Sequence, residues 1–119
     1  VEYRMPEKVL SLLTKRSEKL QIIDIINGLS KDRQSLAAFF SDVECAARDI
    51  IAYKSSRDAS REYYITEDSV MEASMSLPLR KVYMIAELSG ETREQCLRNT
   101  NIQLLKDKYA SGLIKIINS

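Results

Sequence analysis

Histidine and tryptophan are absent from this chain of 119 residues, and glycine, proline and cysteine are scarce. Without histidine, the chain lacks the residue that most often acts as a general base, activates a nucleophile or binds a metal near neutral pH. With only 3 glycines and 2 prolines, it also has few residues that break helices. The composition therefore argues against an independent enzyme and favours long helices over a turn-rich sheet.

The two cysteines, Cys45 and Cys96, lie too far apart in the sequence to form a CxxC metal-binding pair. We expect each thiol to be a small buried side chain in a reducing compartment, with a disulfide as the less favoured alternative. The glycines are isolated, and none opens a phosphate-binding loop. We therefore predict no catalytic residue, no cofactor, no metal site and no small-molecule substrate.

Length and charge describe one ordinary domain over residues 1–119, with 45% hydrophobic and 29% charged residues. The 18 basic residues nearly balance the 17 acidic ones, so the surface as a whole is not expected to seek nucleic acid or anionic lipid. No run of about 18 apolar residues and no signal peptide is present, which predicts a cytoplasmic protein without a membrane partner. Because the chain begins with Val1, we expect a domain excised from a longer protein.

Apolar residues recur at spacings of three and four along most of the chain, which predicts an all-α fold. We expect a single-domain bundle of about five to six helices. The clearest pattern lies on a long helix that Ser30 is expected to cap and that should end near Lys54. Its apolar stripe consists of Leu36, Phe39, Phe40, Val43, Ala46, Ala47, Ile50 and Tyr53.

Weaker patterns predict the remaining helices. Leu20, Ile23 and Ile26 recur at intervals of three in a helix that ends at Gly28, where a left-handed residue is favoured. Further helices are expected to begin near Pro6, after a Thr66 cap, and at Pro78, the last of these running through Gly90 to about Arg98. A final helix is marked by Ile102, Leu105, Tyr109, Leu113 and Ile116.

Basic and aromatic residues cluster around the polar segment that follows the long helix. They are Arg48, Lys54, Arg57 and Arg61, followed by Tyr63 and Tyr64. Such a mixture binds single-stranded nucleic acid through charge and stacking. Because acidic residues are interleaved with the basic ones, we favour a solvated loop and keep nucleic-acid binding as the alternative. For Arg48, two alternatives stay open: a buried or interfacial hydrogen-bonded pair, or a surface charge of little energetic weight.

The segment Asn99-Thr100-Asn101 separates the last two predicted helices. Asparagine favours helix ends because its side chain competes for backbone hydrogen bonds in helix interiors. We expect Asn99 to terminate one helix and Asn101 to cap the next, which satisfies backbone groups at both ends. We prefer this role to ligand binding.

Two segments, taken together and in order, resemble one known family. Residues 48–54, RDIIAYK, are similar to an RDLLxxK end of a long helix, and residues 98–105, RNTNIQLL, resemble an RNxNxxLxLE start of a final helix. With a tyrosine-bearing connector that ends in Ile65 and a short helix between them, they resemble the C-terminal domain of the delta-prime subunit of bacterial DNA polymerase III. The resemblance covers nearly all of the chain. Its structural or interface candidates are Arg48, Asp49, Lys54, Asn99, Asn101, Leu104 and Leu105.

The resemblance implies a helical collar in a clamp loader. In that family, five such domains from five subunits pack into a ring, and the ATPase-type domains below it open the sliding clamp. The delta-prime subunit does not itself hydrolyse ATP, although the holoenzyme is a DNA-directed DNA polymerase. The implied role is non-catalytic oligomerisation in DNA replication, with other clamp-loader subunits as partners and DNA reached only indirectly.

Two details of the resemblance stay open. The related gamma/tau collar is a second candidate within the same machine. The chain also departs from the family at Lys106, where the family often carries glutamate, and we expect this position to be exposed. Faces of the long helix and of the last helix are expected to supply the core and part of the subunit contact.

Overall fold

The computed structural model describes residues 19–29, 31–56, 67–98 and 100–118, and these residues form five α-helices and no strand. In chain order, α1 spans Lys19–Asn27, α2 Arg33–Ser56, α3 Glu67–Ser76, α4 Leu79–Cys96 and α5 Ile102–Asn118. The all-α helical bundle expected from the apolar periodicity is therefore confirmed. The helix expected near Pro6, the caps expected at Ser30 and Thr66, and the tyrosines Tyr63 and Tyr64 lie outside the described residues.

The start of α2 differs from the expected one. The helix begins at Arg33, and Asp32 is its N-terminal cap, because the backbone N–H and the hydroxyl of Ser35 both donate to Asp32 Oδ2 at 2.9 Å. These two hydrogen bonds hold the pKa of the Asp32 carboxyl below its usual value. The helix thus starts two residues later than a cap at Ser30 would place it, and it continues beyond Lys54 to Ser56.

The core is built around α2, which packs most extensively on α4 and also contacts α3, while α5 packs against both α4 and α1. The predicted stripe of α2 faces this core: Tyr53 is half-buried, and the rest of the stripe is buried. Phe40 from α2 meets Tyr109 from α5, with ring centroids 4.6 Å apart. Side chains of three helices thus meet at one centre, since Ser89 of α4 is hydrogen-bonded to the same tyrosine.

Helix α1 buries a different face from the one predicted. Ile22 and Ile26 are fully buried, Ile23 is half-buried, and Leu20 is 75% exposed. A helix of nine residues is compatible both with the predicted spacing of three and with the spacing of four that separates Ile22 from Ile26. Packing against α5 buries the pair spaced by four. The helix does end immediately before Gly28, but the backbone of this glycine is not left-handed, so the expected reason for its position is wrong.

Later parts of the chain agree more closely with expectation. Gly90 lies inside α4 as predicted, although that helix ends at Cys96 rather than near Arg98. Both cysteines are free thiols, with Cys96 buried and Cys45 half-buried. Among the helices that the structure describes, none combines the length and apolar character needed to cross a membrane.

Candidate functional site

The three candidate residues of α2 occupy different environments. Arg48 is exposed, whereas the adjacent Asp49 is only 4% exposed. Lys54 is half-buried, and its Nζ donates a hydrogen bond of 2.6 Å to the carbonyl oxygen of Ser74 in the last turn of α3. The exposure of Arg48 excludes a buried pair and leaves a surface or interfacial position open.

The candidate residues near the last helix have different roles: one caps the helix, one is exposed on the surface and one is buried in the core. Asn101 caps α5 as predicted, because its Oδ1 accepts a 2.8 Å hydrogen bond from the backbone N–H of Leu104. The side chain of Leu104 is 53% exposed, whereas that of Leu105 is 1% exposed and belongs to the core. Asn99 lies outside the described residues.

Lys106 contradicts the expectation of an exposed position. Its side chain is 1% exposed, and its Nζ donates a hydrogen bond of 2.6 Å to the carbonyl oxygen of Leu29, just beyond the end of α1. The residue lies on the face of α5 that packs against α1, beside the buried Leu105. The ammonium group is therefore directed to a helix end rather than to solvent.

Lys106 belongs to a set of four basic side chains that share one geometry, which we call the cross-helix caps. Each of them donates from its own helix to a backbone carbonyl at the C-terminal end of a different helix. The last carbonyls of a helix have no partner within it and carry the negative end of its dipole, so a cation satisfies both needs. The four are Arg33 at the end of α4, Lys54 at α3, Lys81 at α5 and Lys106 at α1.

Arg33 makes the most extensive of these contacts. Its Nη1 donates to the carbonyl oxygens of Cys96 at 2.7 Å and Arg98 at 2.6 Å, and its Nη2 donates to that of Thr100 at 3.0 Å. A planar guanidinium can serve several acceptors at once, which an ammonium group on a flexible stem does less well. The start of α2 is thereby fixed to the connection between α4 and α5.

One of the cross-helix caps weakens the case for nucleic-acid binding. That alternative needs Arg48, Lys54, Arg57 and Arg61, but the amino group of Lys54 is engaged by Ser74. Arg57 and Arg61 lie outside the described residues. Within residues 19–29, 31–56, 67–98 and 100–118, only Arg48 therefore presents a basic group of this cluster to solvent, and no cluster of metal-ligating side chains is found there.

Large apolar side chains are exposed on α1, α3, α4 and α5, and on α3 and the first turns of α4 they form pairs one turn apart. Met71 and Met75 are 41% and 83% exposed, and they lie one turn apart on α3. Leu79 and Tyr83 are 36% and 49% exposed, and they lie one turn apart at the start of α4. Exposed apolar side chains grouped in this way are typical of a surface that contacts another protein. We call these four residues the exposed apolar pairs.

Comparisons of the chain with protein-family models, with curated proteins and with solved structures found no match.

Proposed function

We propose that this chain is a non-catalytic helical assembly domain of the collar type, from a delta-prime-like subunit of a bacterial DNA polymerase III clamp loader. The observation that carries the proposal is the order in which the two recognised segments and the helices occur. Residues 48–54 lie in the last turns of a long helix, the short helix α3 follows, and residues 101–105 open the final helix with an asparagine cap.

The exposed apolar pairs support an assembly role and suggest which surface takes part. Methionine is unbranched and adaptable, and it is frequent on surfaces that bind other proteins. Tyrosine supplies a large contact area at a small cost in conformational entropy, and it is enriched at interfaces. We therefore assign the exposed faces of α3 and of the first turns of α4 to the contact with a neighbouring subunit.

Co-purification tests this proposal in the complete gene product that contains the chain. That protein, co-expressed with the other clamp-loader subunits of the same organism, is expected to elute with them as one complex in size-exclusion chromatography with light scattering. The double variant Met75→Lys and Tyr83→Lys is expected to weaken the complex, because it places two charges in an apolar contact. Elution of the unmodified protein apart from the other subunits would contradict the proposal.

A matched control separates the interface from a general effect of charge. Gln34 and Ala38 are exposed and lie one turn apart near the start of α2, which Arg33 joins to the end of α4 opposite Leu79 and Tyr83. The variant Gln34→Lys and Ala38→Lys therefore adds the same two charges on another surface and is expected to leave the complex intact. Equal weakening by both double variants would count against the assigned surface but not against the assembly role.

The related collar of the gamma/tau subunit is the second candidate within the same function. The two differ in the chemistry of the complete subunit, since the delta-prime subunit of that family does not hydrolyse ATP. Steady-state ATP hydrolysis by the purified complete gene product therefore distinguishes them. No hydrolysis is expected for the delta-prime assignment.

A further inference from the structure

An open groove of about 460 Å³ lies between α4 and α5. Leu88, Leu105 and Gly112 contribute its apolar part. A Cβ atom on Gly112 would lie 2.8 Å from Cδ2 of Leu88, so the Leu88 side chain occupies the space that this glycine leaves open on α5. The groove is therefore a direct product of how these two helices pack.

Charged side chains of opposite sign border the groove. Lys108 and Lys115 lie on the α5 side, two helical turns or about 10.5 Å apart along the axis, and Glu91 lies on the α4 side. All three are exposed, and none of them forms a hydrogen bond or ion pair with another residue that the structure describes. Asp107 also borders the groove on the α5 side, but its carboxylate accepts a 3.0 Å hydrogen bond from Gln103.

We propose that this groove binds a single amphipathic helix of a partner protein. The helix would carry a narrow apolar seam, with acidic residues along one edge and basic residues along the other. The apolar seam fits the floor, the acidic edge meets Lys108 and Lys115, and the basic edge meets Glu91. Complementary charges of this kind select one partner and fix its register.

The shape of the groove favours a helix over a small molecule. Small-molecule sites enclose most of their ligand, whereas the bordering residues Glu91, Lys108 and Lys115 are all exposed along two turns of helix. An amphipathic helix needs such an open trough, because it inserts only one row of side chains between two others. The proposal does not depend on the clamp-loader assignment, since it uses only α4 and α5.

Two synthetic peptides of 21 residues, both with leucine or alanine at heptad positions a and d, test the proposal. The mixed peptide has glutamate at every e and lysine at every g, and the basic peptide has lysine at both. Titration followed by fluorescence anisotropy is expected to show that the chain binds the mixed peptide at least about fivefold more tightly, since like charges then face Lys108 and Lys115 in the basic peptide. Reversing the direction of the mixed peptide in the groove exchanges the sides on which its glutamates and lysines lie. One of the two directions therefore places glutamate beside Lys108 and Lys115, and the comparison holds whichever direction that is.

The double variant Lys108→Glu and Lys115→Glu makes both borders acidic and is expected to reverse this preference. The control variant Lys31→Glu and Arg48→Glu changes the net charge equally at exposed positions outside the groove and is expected to keep the original preference. Since both lysines are exposed, an unchanged thermal transition in circular dichroism is expected for the groove variant.

Three results would overturn the proposal. The first is equal affinity of the chain for both peptides, or no binding of either. The second is a preference that survives reversal of both lysines. The third is a dimer of the chain, or a complex with a single-stranded oligonucleotide, that forms through the groove and is lost in the Lys108→Glu and Lys115→Glu variant, because another occupant would then hold the site.

Discussion

Lys81 and Lys106 carry ammonium groups into the interior of the protein, where an unpaired charge is very costly. Their side chains are 8% and 1% exposed, and each donates to one backbone carbonyl at the end of a neighbouring helix. Their aliphatic stems fill the space between helices, as long basic side chains commonly do. At these two positions, a single residue supplies both core packing and helix capping.

Lys106→Met tests the capping role, because methionine keeps the approximate volume and removes the ammonium group. We expect the free energy of unfolding to fall by about 1–3 kcal/mol, the usual cost of leaving a buried polar group unsatisfied. Urea unfolding followed by circular dichroism measures the change. Lys108→Met is the matched control on the same helix, and its exposed position predicts a change within about 0.5 kcal/mol. Equal stability of the two variants would refute the capping role of Lys106.

The burial of Lys106 is not predictable from its place in the sequence. It follows Leu105 directly and precedes Tyr109 by one turn, so it lies within the apolar stripe of α5. A reading of apolar periodicity counts it as a polar interruption at the edge of that stripe. Its acceptor at Leu29 lies 77 residues earlier, and no local pattern indicates such a partner.

At the scale of the elements, the contact between α2 and α4 contains an unusual arrangement around Gly90. Arg93 of α4 forms an ion pair with Glu44 of α2, and both side chains are partly exposed. A Cβ atom on Gly90 would lie 3.0 Å from Oε2 of the same Glu44. The glycine therefore leaves room for the carboxylate, at the cost of helix propensity in the middle of α4.

Gly90→Ala is expected to have different effects in two backgrounds. In the wild-type chain, the gain of about 1 kcal/mol in helix propensity is offset by displacement of Glu44 and weakening of a partly exposed ion pair. In a Glu44→Ala background the obstacle is gone, and nearly the full gain is expected. Urea unfolding of the four proteins in this double-mutant cycle measures the difference. An identical effect of Gly90→Ala in both backgrounds would show that Glu44 does not limit this position.

Helix length decides how well the sequence predicts a buried face. The stripe of α2 runs through a helix of 24 residues, and over that length a single face of the helix carries the apolar positions. Helix α1 has nine residues, four of them isoleucine, so apolar side chains occur on more than one of its faces. Its burial of Ile22 and Ile26 is set by the position of α5. Leu105 of the groove belongs to the predicted apolar pattern of the last helix, but no sequence pattern indicates that Glu91, Lys108 and Lys115 border a groove, because the groove arises from the pairing of α4 and α5.

At the scale of the whole molecule, Tyr109 connects the central helices. Its hydroxyl forms a buried hydrogen bond of 2.8 Å with that of Ser89 on α4, and its ring packs on Phe40 of α2. Burial raises the pKa of Tyr109 far above its usual value, and the hydrogen bond with Ser89 offsets only part of that rise. The folded protein therefore keeps this phenol protonated under conditions in which the unfolded chain loses the proton.

This pKa shift predicts a loss of stability at alkaline pH. The unfolded chain releases the Tyr109 proton near pH 10, whereas the folded protein retains it. The contribution is therefore fully present below about pH 10 and is lost as the pH rises above it. Urea midpoints measured from pH 8 to pH 11 are expected to fall more steeply for the wild-type chain than for Tyr109→Phe. Parallel slopes of the two proteins would contradict the prediction. Tyr109→Phe also lowers the stability at neutral pH, because Ser89 loses its partner, but this loss does not affect the comparison of slopes.

During synthesis on the ribosome, the cross-helix caps can form only in a certain order. Synthesis delivers α1 before the other described helices, yet Lys106, which donates to the carbonyl of Leu29 just beyond α1, follows 77 residues later. The end of α4 is served by Arg33, which has already emerged when Cys96 is made. A nascent chain can thus complete α4 soon after it appears, while the end of α1 stays hydrated until translation of α5 is under way.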